Sequence, residues 1–442
     1  MDGSTVRKRS RLRATENRLH CKGACHLPWF RHPAMLVPLM GLALIRDAKW
    51  FGRSRAIGYA KMFALAYVPN IVLIFITSSG VLTITGVERG TDFYSFWAAA
   101  KIAATQDAAA AYDVAAQARV QGLGEHYYPF LYPPQLLVLI FPLGLMAYSW
   151  AYLAWAASTF AAYVLTARKL VAGAFWPILA YPAAFINLAG GQSGALTASL
   201  FCGAALTLGS RPFFAGMFLG GFIIKPHLAI LFPLAMIAGR RWKVIAGAIT
   251  SASLLTLLSL LMFGPGAWEA FFSNTAVARS VTEDTSTLWP KIISLFGLVR
   301  LTGGSTEAAY GAQLFVTLVC GAIVYRVWRV AGDDRDDTAK LSILAICSAL
   351  ATPYAFDYDL VLLIVPMCWL AAVGSRNGFP PWSKAVLATV YVLPFLSRGM
   401  AAAVGITPAW FILVAFLAVL LRATGSTAPD HADAASAAIP QP

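Results

Sequence analysis

The sequence predicts an all-α fold, a polytopic transmembrane helical bundle. Three observations carry that expectation. Of 442 residues, 59% are hydrophobic and only 12% charged, with a mean hydropathy of +0.66, whereas a soluble domain carries roughly 25% charge. Apolar stretches recur along the chain between short turns rich in Gly, Pro and basic residues. The positive charge is also uneven. Formal net charge is +14, and residues 1–55 hold twelve Lys/Arg against three Asp/Glu, a bias that suits a cytoplasmic face held near anionic lipid. Beside so many apolar segments this basic arm fits membrane lipids better than a nucleic acid, and no nucleic-acid partner is expected.

In chain order, residues 1–55 read as a basic cytoplasmic extension. Within it His20-Cys21-x3-Cys25-His26 has a loose metal-ligand look but lacks a second ligand pair at finger spacing, so no metal is expected. Met35–Ile45 is apolar but too short to cross a bilayer, and fits the interface. Ala56–Ser79 is the first convincing span, with Arg53, Arg55 and Lys61 at its cytoplasmic start. Ser95–Val120, Ala-rich with scattered polar residues, reads as a helix lying on the membrane surface. Pro133-Pro134 then opens the next span at its first turn.

Further apolar segments are Gln135–Ala147, Trp150–Leu165, Phe175–Leu188, Ala195–Leu208, Phe213–Ile224, Leu228–Ile237 and Val244–Phe263. A loop is expected from Gly264 to Thr287, followed by Leu288–Leu301, Ala312–Val330, Leu341–Ala351, Leu360–Val373, Ala385–Ser397 and Pro408–Leu421. Several are shorter than the roughly 20 apolar residues a crossing helix needs. Such pieces point to short re-entrant or broken helices around a cavity, and to about 10–13 membrane segments in all. The membrane domain is expected to span 56–422, and the small, polar, Pro-bearing residues 423–442 to form a disordered tail. Cys202, Cys320, Cys347 and Cys368 lie within apolar runs as small hydrophobes.

Basic turns at Arg211 and at Arg240-Arg241 read as cytoplasmic, which puts Lys225, midway between them, on the outer face together with Asp92. A carboxylate so close to a span is costly without a use. Asp92 is followed by aromatic residues, Tyr94 among them, and by the Tyr-Pro-rich stretch holding Tyr132. A carboxylate among rings fits a base that takes a proton from a sugar-acceptor hydroxyl; it also fits a cap of the helix beginning near Ser95. Lys225, between apolar runs, suits a phosphate counter-charge or a snorkelling anchor. His227 beside it offers a further donor. Gln192, in Gly190-Gly191-Gln192-Ser193-Gly194, offers donor and acceptor where glycines admit a ligand, or else marks a tight turn. Gly216-x3-Gly220 reads as helix packing. Asp357 and Asp359 stand two apart in Thr352–Asp359, so on a helix they point to different faces. Arg279 within the Gly264–Thr287 loop and Lys291 beside it can touch a lipid phosphate or form a solvated rim, and Asp333–Asp337 reads as a solvated loop. No P-loop or dinucleotide fingerprint appears, and no cofactor is expected.

In order along the chain, Asp92-Phe93, Tyr112-Asp113, Tyr132-Pro133-Pro134, Gly191-Gln192, Lys225-Pro226-His227 and Thr352-Pro353-x3-Asp357-x-Asp359 resemble glycosyltransferase family 87 over roughly Ala56 to Leu421. The resemblance implies a fold of GT-C type and an inverting hexosyltransferase of the cytoplasmic membrane. Its donor would be a polyprenyl-phosphate-sugar, mannose in the mycobacterial members, and its acceptor a lipid or glycan on the outer face. It implies Asp92 as general base and Lys225 as partner of the donor phosphate. The Pro353 stretch departs from the mycobacterial pattern, in which histidines fall near Tyr358 and Asp359, which leaves sugar and acceptor open. Two rivals stand beside it. One is a lipid-linked sugar flippase or other secondary transporter, for which no internal repeat is evident. The other is a polysaccharide polymerase or ligase, which would carry its large loop near the chain's end.

Overall fold

The computed structural model describes residues 42–76, 90–122, 127–329 and 336–425. The His20–His26 cluster, residues 35–41 of the first apolar run, His126, residues 331–335 and residues 426–442 lie outside them. The chain divides into Met1–Trp50 and Phe51–Pro442. In the first unit a short helix covers 42–47, closed by the exposed Arg46–Asp47 pair. The rest concerns the second.

The described residues are all-helical, with no strand among them. The helices are α1 (Arg53–Ile76), α2 (Thr91–Thr105), α3 (Val114–Gln121), α4 (Pro134–Ile140), α5 (Tyr148–Ala167), α6 (Phe175–Leu179), α7 (Pro182–Gly190), α8 (Gly194–Thr207) and α9 (Pro212–Gly220). They continue as α10 (Phe232–Ala238), α11 (Trp242–Ser273), α12 (Thr275–Asp284), α13 (Leu295–Leu301), α14 (Thr306–Arg329), α15 (Asp337–Ala351), α16 (Ile364–Asn377), α17 (Ser383–Val404) and α18 (Ala409–Gly425). Pro134, Pro182 and Pro212 stand in the first turns of their helices, where the missing N–H has no intrahelical partner to lose.

Three stretches among the described residues are long and apolar enough to cross a membrane: Trp242–Asp284, Thr306–Arg329 and Asp357–Asn377. They differ in what they face. Only 17% of the apolar window of the first is buried, against 72% for the third. Leu254, Leu257 and Leu261 on α11 and Leu314, Phe315 and Leu318 on α14 are exposed apolar side chains, as a lipid-facing surface requires. By contrast α15 is buried on all sides from Ala339 to Ala351, Lys340 included, the state of a core helix. The half-length pieces expected from the sequence are apolar helices of 10–17 residues, among them Phe175–Gly190, Gly194–Thr207 and Pro212–Ile224.

Three expectations are corrected. Ser95–Val120 is not one surface helix. It is α2, a 3-10 turn Ala108–Tyr112 and α3, because Asp107 and Asp113 cap the second and third pieces through Ala109 N and Ala116 N. Nor is it peripheral, since Phe93, Phe96, Ala98, Ala99, Ala100 and Ile102 are fully buried. The Gly264–Thr287 segment is largely helical: α11 kinks at Gly264 (φ 69°), continues to Ser273, and α12 follows. The C-terminal helix runs to Gly425, beyond the expected limit at 422.

Close backbone approach welds α9 to α11. A Cβ on Gly216 would stand 2.0 Å from Val244 O, and one on Gly247 would stand 1.9 Å from Phe213 O. The Gly216-x3-Gly220 spacing is thus a packing device, as its pattern predicts.

A polar cavity as candidate active site

A cavity of about 780 Å³ opens between α2, α7, α12 and the loops that precede α4, α10 and α16. Asp92 enters it from the first turn of α2. Its side chain makes no cap hydrogen bond; Gly90 occupies the cap position and Ser95 Oγ donates to the Asp92 backbone carbonyl at 2.8 Å. The carboxylate is therefore left for the cavity. Burial pushes its pKa above the ordinary carboxylate value, and Gln192, Lys291, Arg398 and Lys225 pull it back down.

The floor beside Asp92 is the turn between α7 and α8. Gly191 has φ 67°, and a Cβ there would lie 2.5 Å from the Phe93 Cβ, so only glycine lets the turn approach α2 this closely. Trp155 Nε1 donates to Gly191 O at 2.9 Å and Tyr152 Oη to Leu188 O at 2.8 Å. These bonds hold Gln192 so that its Oε1 accepts from Tyr132 Oη at 3.0 Å. The carbonyl of Tyr132 in turn accepts from Tyr112 Oη, which makes Tyr112-Asp113 a supporting pair: one residue braces Tyr132 and the other caps α3.

The opposite wall is cationic. Lys225 precedes Pro226 with φ −146° and ψ 64°, outside the α region that a following proline disfavours. Its Nζ lies 2.5 Å from Asp359 Oδ1, with both side chains buried, 4.8 Å from the Tyr358 ring centre and 5.8 Å from that of Tyr132. Asp359 Oδ2 also accepts from Phe356 N at 3.1 Å. Asp357, on the other side of the same 3-10 turn, is held by Arg398 of α17, whose Nη2 donates to Oδ1 at 2.8 Å and whose Nε donates to Oδ2. The two acids do point different ways, each to its own cation. The segment is fixed from below by Ile293 N donating to Ala355 O at 2.9 Å and Ser294 Oγ to Pro353 O at 2.8 Å. That strut carries Lys291 into the cavity wall. Arg279, on α12 at the rim, pairs with Glu283 at 2.7 Å and is 65% exposed. Glu283 also accepts from Tyr310 Oη, itself 2.6 Å from Tyr354 Oη.

The cavity thus brings together Asp92, Gln192, Tyr132, Lys225, His227, Arg279 and Lys291. His227 presents a buried Nε2 without a hydrogen-bond partner among the described residues. Tyr94 does not line the cavity; it is buried and stacks on Tyr148 at 4.4 Å between ring centres. Asp357 and Asp359 stand behind the wall as counter-ions. Two wall residues, Tyr358 and Arg398, escaped the reading of the sequence. Arg398 was legible as an ionisable residue at the end of an apolar run. Asp92 is the only acid among the described residues lining the cavity, and no cluster of three or more His, Cys, Asp or Glu suited to a metal occurs among the described residues.

Residues 130–353 match the model of glycosyltransferase family 87. No curated protein and no solved structure matches the chain.

Proposed function

The chain belongs to glycosyltransferase family 87, and from that premise we propose that it moves a hexose, mannose by the family's resemblance, from a polyprenyl-phosphate-sugar to a lipid or glycan acceptor. The observation that carries this reading is the lone carboxylate: Asp92 faces a void whose other charged lining residues are the cations Lys225, Arg279, Lys291 and Arg398. Asp92 takes the proton of the acceptor hydroxyl, and that oxygen bonds the anomeric carbon from the side opposite the phosphate. The bond from the anomeric carbon to the phosphate oxygen breaks, its electron pair staying on the phosphate. Configuration inverts, and no second carboxylate is needed because phosphate leaves unprotonated. Tyr132, Tyr358 and Gln192 supply ring faces and hydrogen bonds to the sugar.

The basic turns at Arg211 and Arg240-Arg241 support a cavity opening to the outer face of the cytoplasmic membrane. The same charge bias supports 1–55 as a cytoplasmic extension to a GT-C-type domain over 56–422, with short helices completing about 10–13 membrane segments. The test is transfer of labelled mannose from polyprenyl-phosphate-mannose to membrane lipids by the purified protein. Transfer that depends on Asp92 upholds the reading; equal transfer by Asp92→Asn sinks it.

A further inference from the structure

The geometry points to Lys291 and Arg398 as a two-cation clamp for the phosphate of the lipid donor, with Lys225 held as the buried counter-ion of Asp359 and not touching it. This rests on the transferase reading above and assigns the cations within it.

Lys225 is already committed. Its ammonium is 2.5 Å from Asp359 and packed over the rings of Tyr358 and Tyr132. Drawing it towards a phosphate would loosen its hold on Asp359, whose side chain is fully buried. Breaking a buried pair in that way is strongly unfavourable. Lys291 displaces nothing: it lines the cavity and its side chain has no hydrogen-bond or ion-pair partner among the described residues. Arg398 uses Nε and Nη2 on Asp357, which leaves Nη1 without a protein partner among the described residues, on a 41% exposed side chain that lines the cavity. Asp357 thereby fixes the plane of the guanidinium before a ligand arrives, which is how a preorganised donor gains effect. Arg279 is the poorer candidate, being spent on Glu283 at the rim.

The reaction itself asks for two charges. The donor phosphodiester carries one negative charge, and cleavage at the anomeric carbon delivers an electron pair that makes the departing phosphate a dianion. Cations placed where charge grows favour the transition state over the ground state.

The test measures binding of radiolabelled polyprenyl phosphate to the full chain in phosphatidylcholine nanodiscs, with the polyprenyl alcohol as control. Wild type should prefer the phosphate. Lys291→Met should cut that preference about tenfold or more, the scale of a lost hydrogen bond to a charged group. Arg398→Met with Asp357→Asn, which leaves no orphan carboxylate, should do the same. Lys225→Met with Asp359→Asn should keep it within about threefold, because neither residue of that pair contacts the phosphate. Unchanged preference in Lys291→Met, loss of it in the Lys225/Asp359 variant, or equal binding of alcohol and phosphate by wild type overturns the clamp. A wild type that transfers no sugar yet loses phosphate preference with Lys291→Met refutes the transferase reading and upholds the anion site.

Discussion

The Nζ of Lys225 and Oδ1 of Asp359 lie 2.5 Å apart, and 134 residues of chain separate them. The pair ties the loop before α10 to the turn before α16. Both side chains are buried, so each is the other's nearest counter-charge.

Removing one member should therefore cost far more than removing both. Asp359→Ala is expected to lose about 3–5 kcal/mol of stability, and Lys225→Met with Asp359→Leu to stay close to wild type. Thermal unfolding in detergent checks this; equal Tm losses for the two would mean the ammonium finds another partner.

Asp92→Asn keeps shape but cannot accept a proton. Turnover should fall about 10²–10⁴-fold, while Tm and donor binding hold. Steady-state kcat beside a donor-binding measurement separates the two effects.

A base must be deprotonated to act, so kcat/KM should fall as pH drops through the Asp92 pKa. Burial raises that pKa, which places the acid limb above the ordinary carboxylate range, and Lys291 is one of the groups holding it down. Lys291→Met removes a lowering influence, so the limb should move towards neutral pH whatever happens to its height. A limb that stays put or moves to lower pH would separate Asp92 from the titration.

Gly191→Ala meets two penalties, a left-handed φ of 67° and a Cβ that would fall 2.5 Å from the Phe93 Cβ. The backbone term alone is about 1–2 kcal/mol, and the clash adds to it. The expected result is a lowered Tm with a larger loss of activity, because the turn that yields also carries Gln192. Comparing Tm and kcat with those of a Gly311→Ala control, where a Cβ meets nothing within 4 Å, isolates the effect.

The sequence made some of this legible and hid the rest for identifiable reasons. Prolines at 134, 182 and 212 announce helix starts because their chemistry is local, and Gly216-x3-Gly220 announces packing for the same reason. The burial of α2 was hidden because alanine suits a surface as well as a tight interior; Phe93 and Phe96 packing on Tyr152, Trp155 and Tyr132 decided it. The kink at Gly264-Pro265 looked like the start of a loop, yet the chain re-enters a helix after it. Asp92 and Lys225 stood out as charges beside apolar runs. Their partners did not, since nothing near Lys225 in the chain indicates Asp359, and nothing near Asp357 indicates Arg398.

The Asp357–Arg398 pair also bears on how the chain is assembled. Asp357 heads an apolar stretch long enough to cross a membrane, and its counter-ion arrives 41 residues later, on α17. During synthesis the acid must enter the bilayer region before its cation exists in that environment. Until then its carboxylate lacks that counter-ion, and an unpaired carboxylate at depth is expensive. Insertion of Asp357–Asn377 should therefore depend on the helix that follows it. A chain stopped before Ser383 should leave this segment poorly anchored and open to quality-control proteolysis, even though every residue of the segment itself is present.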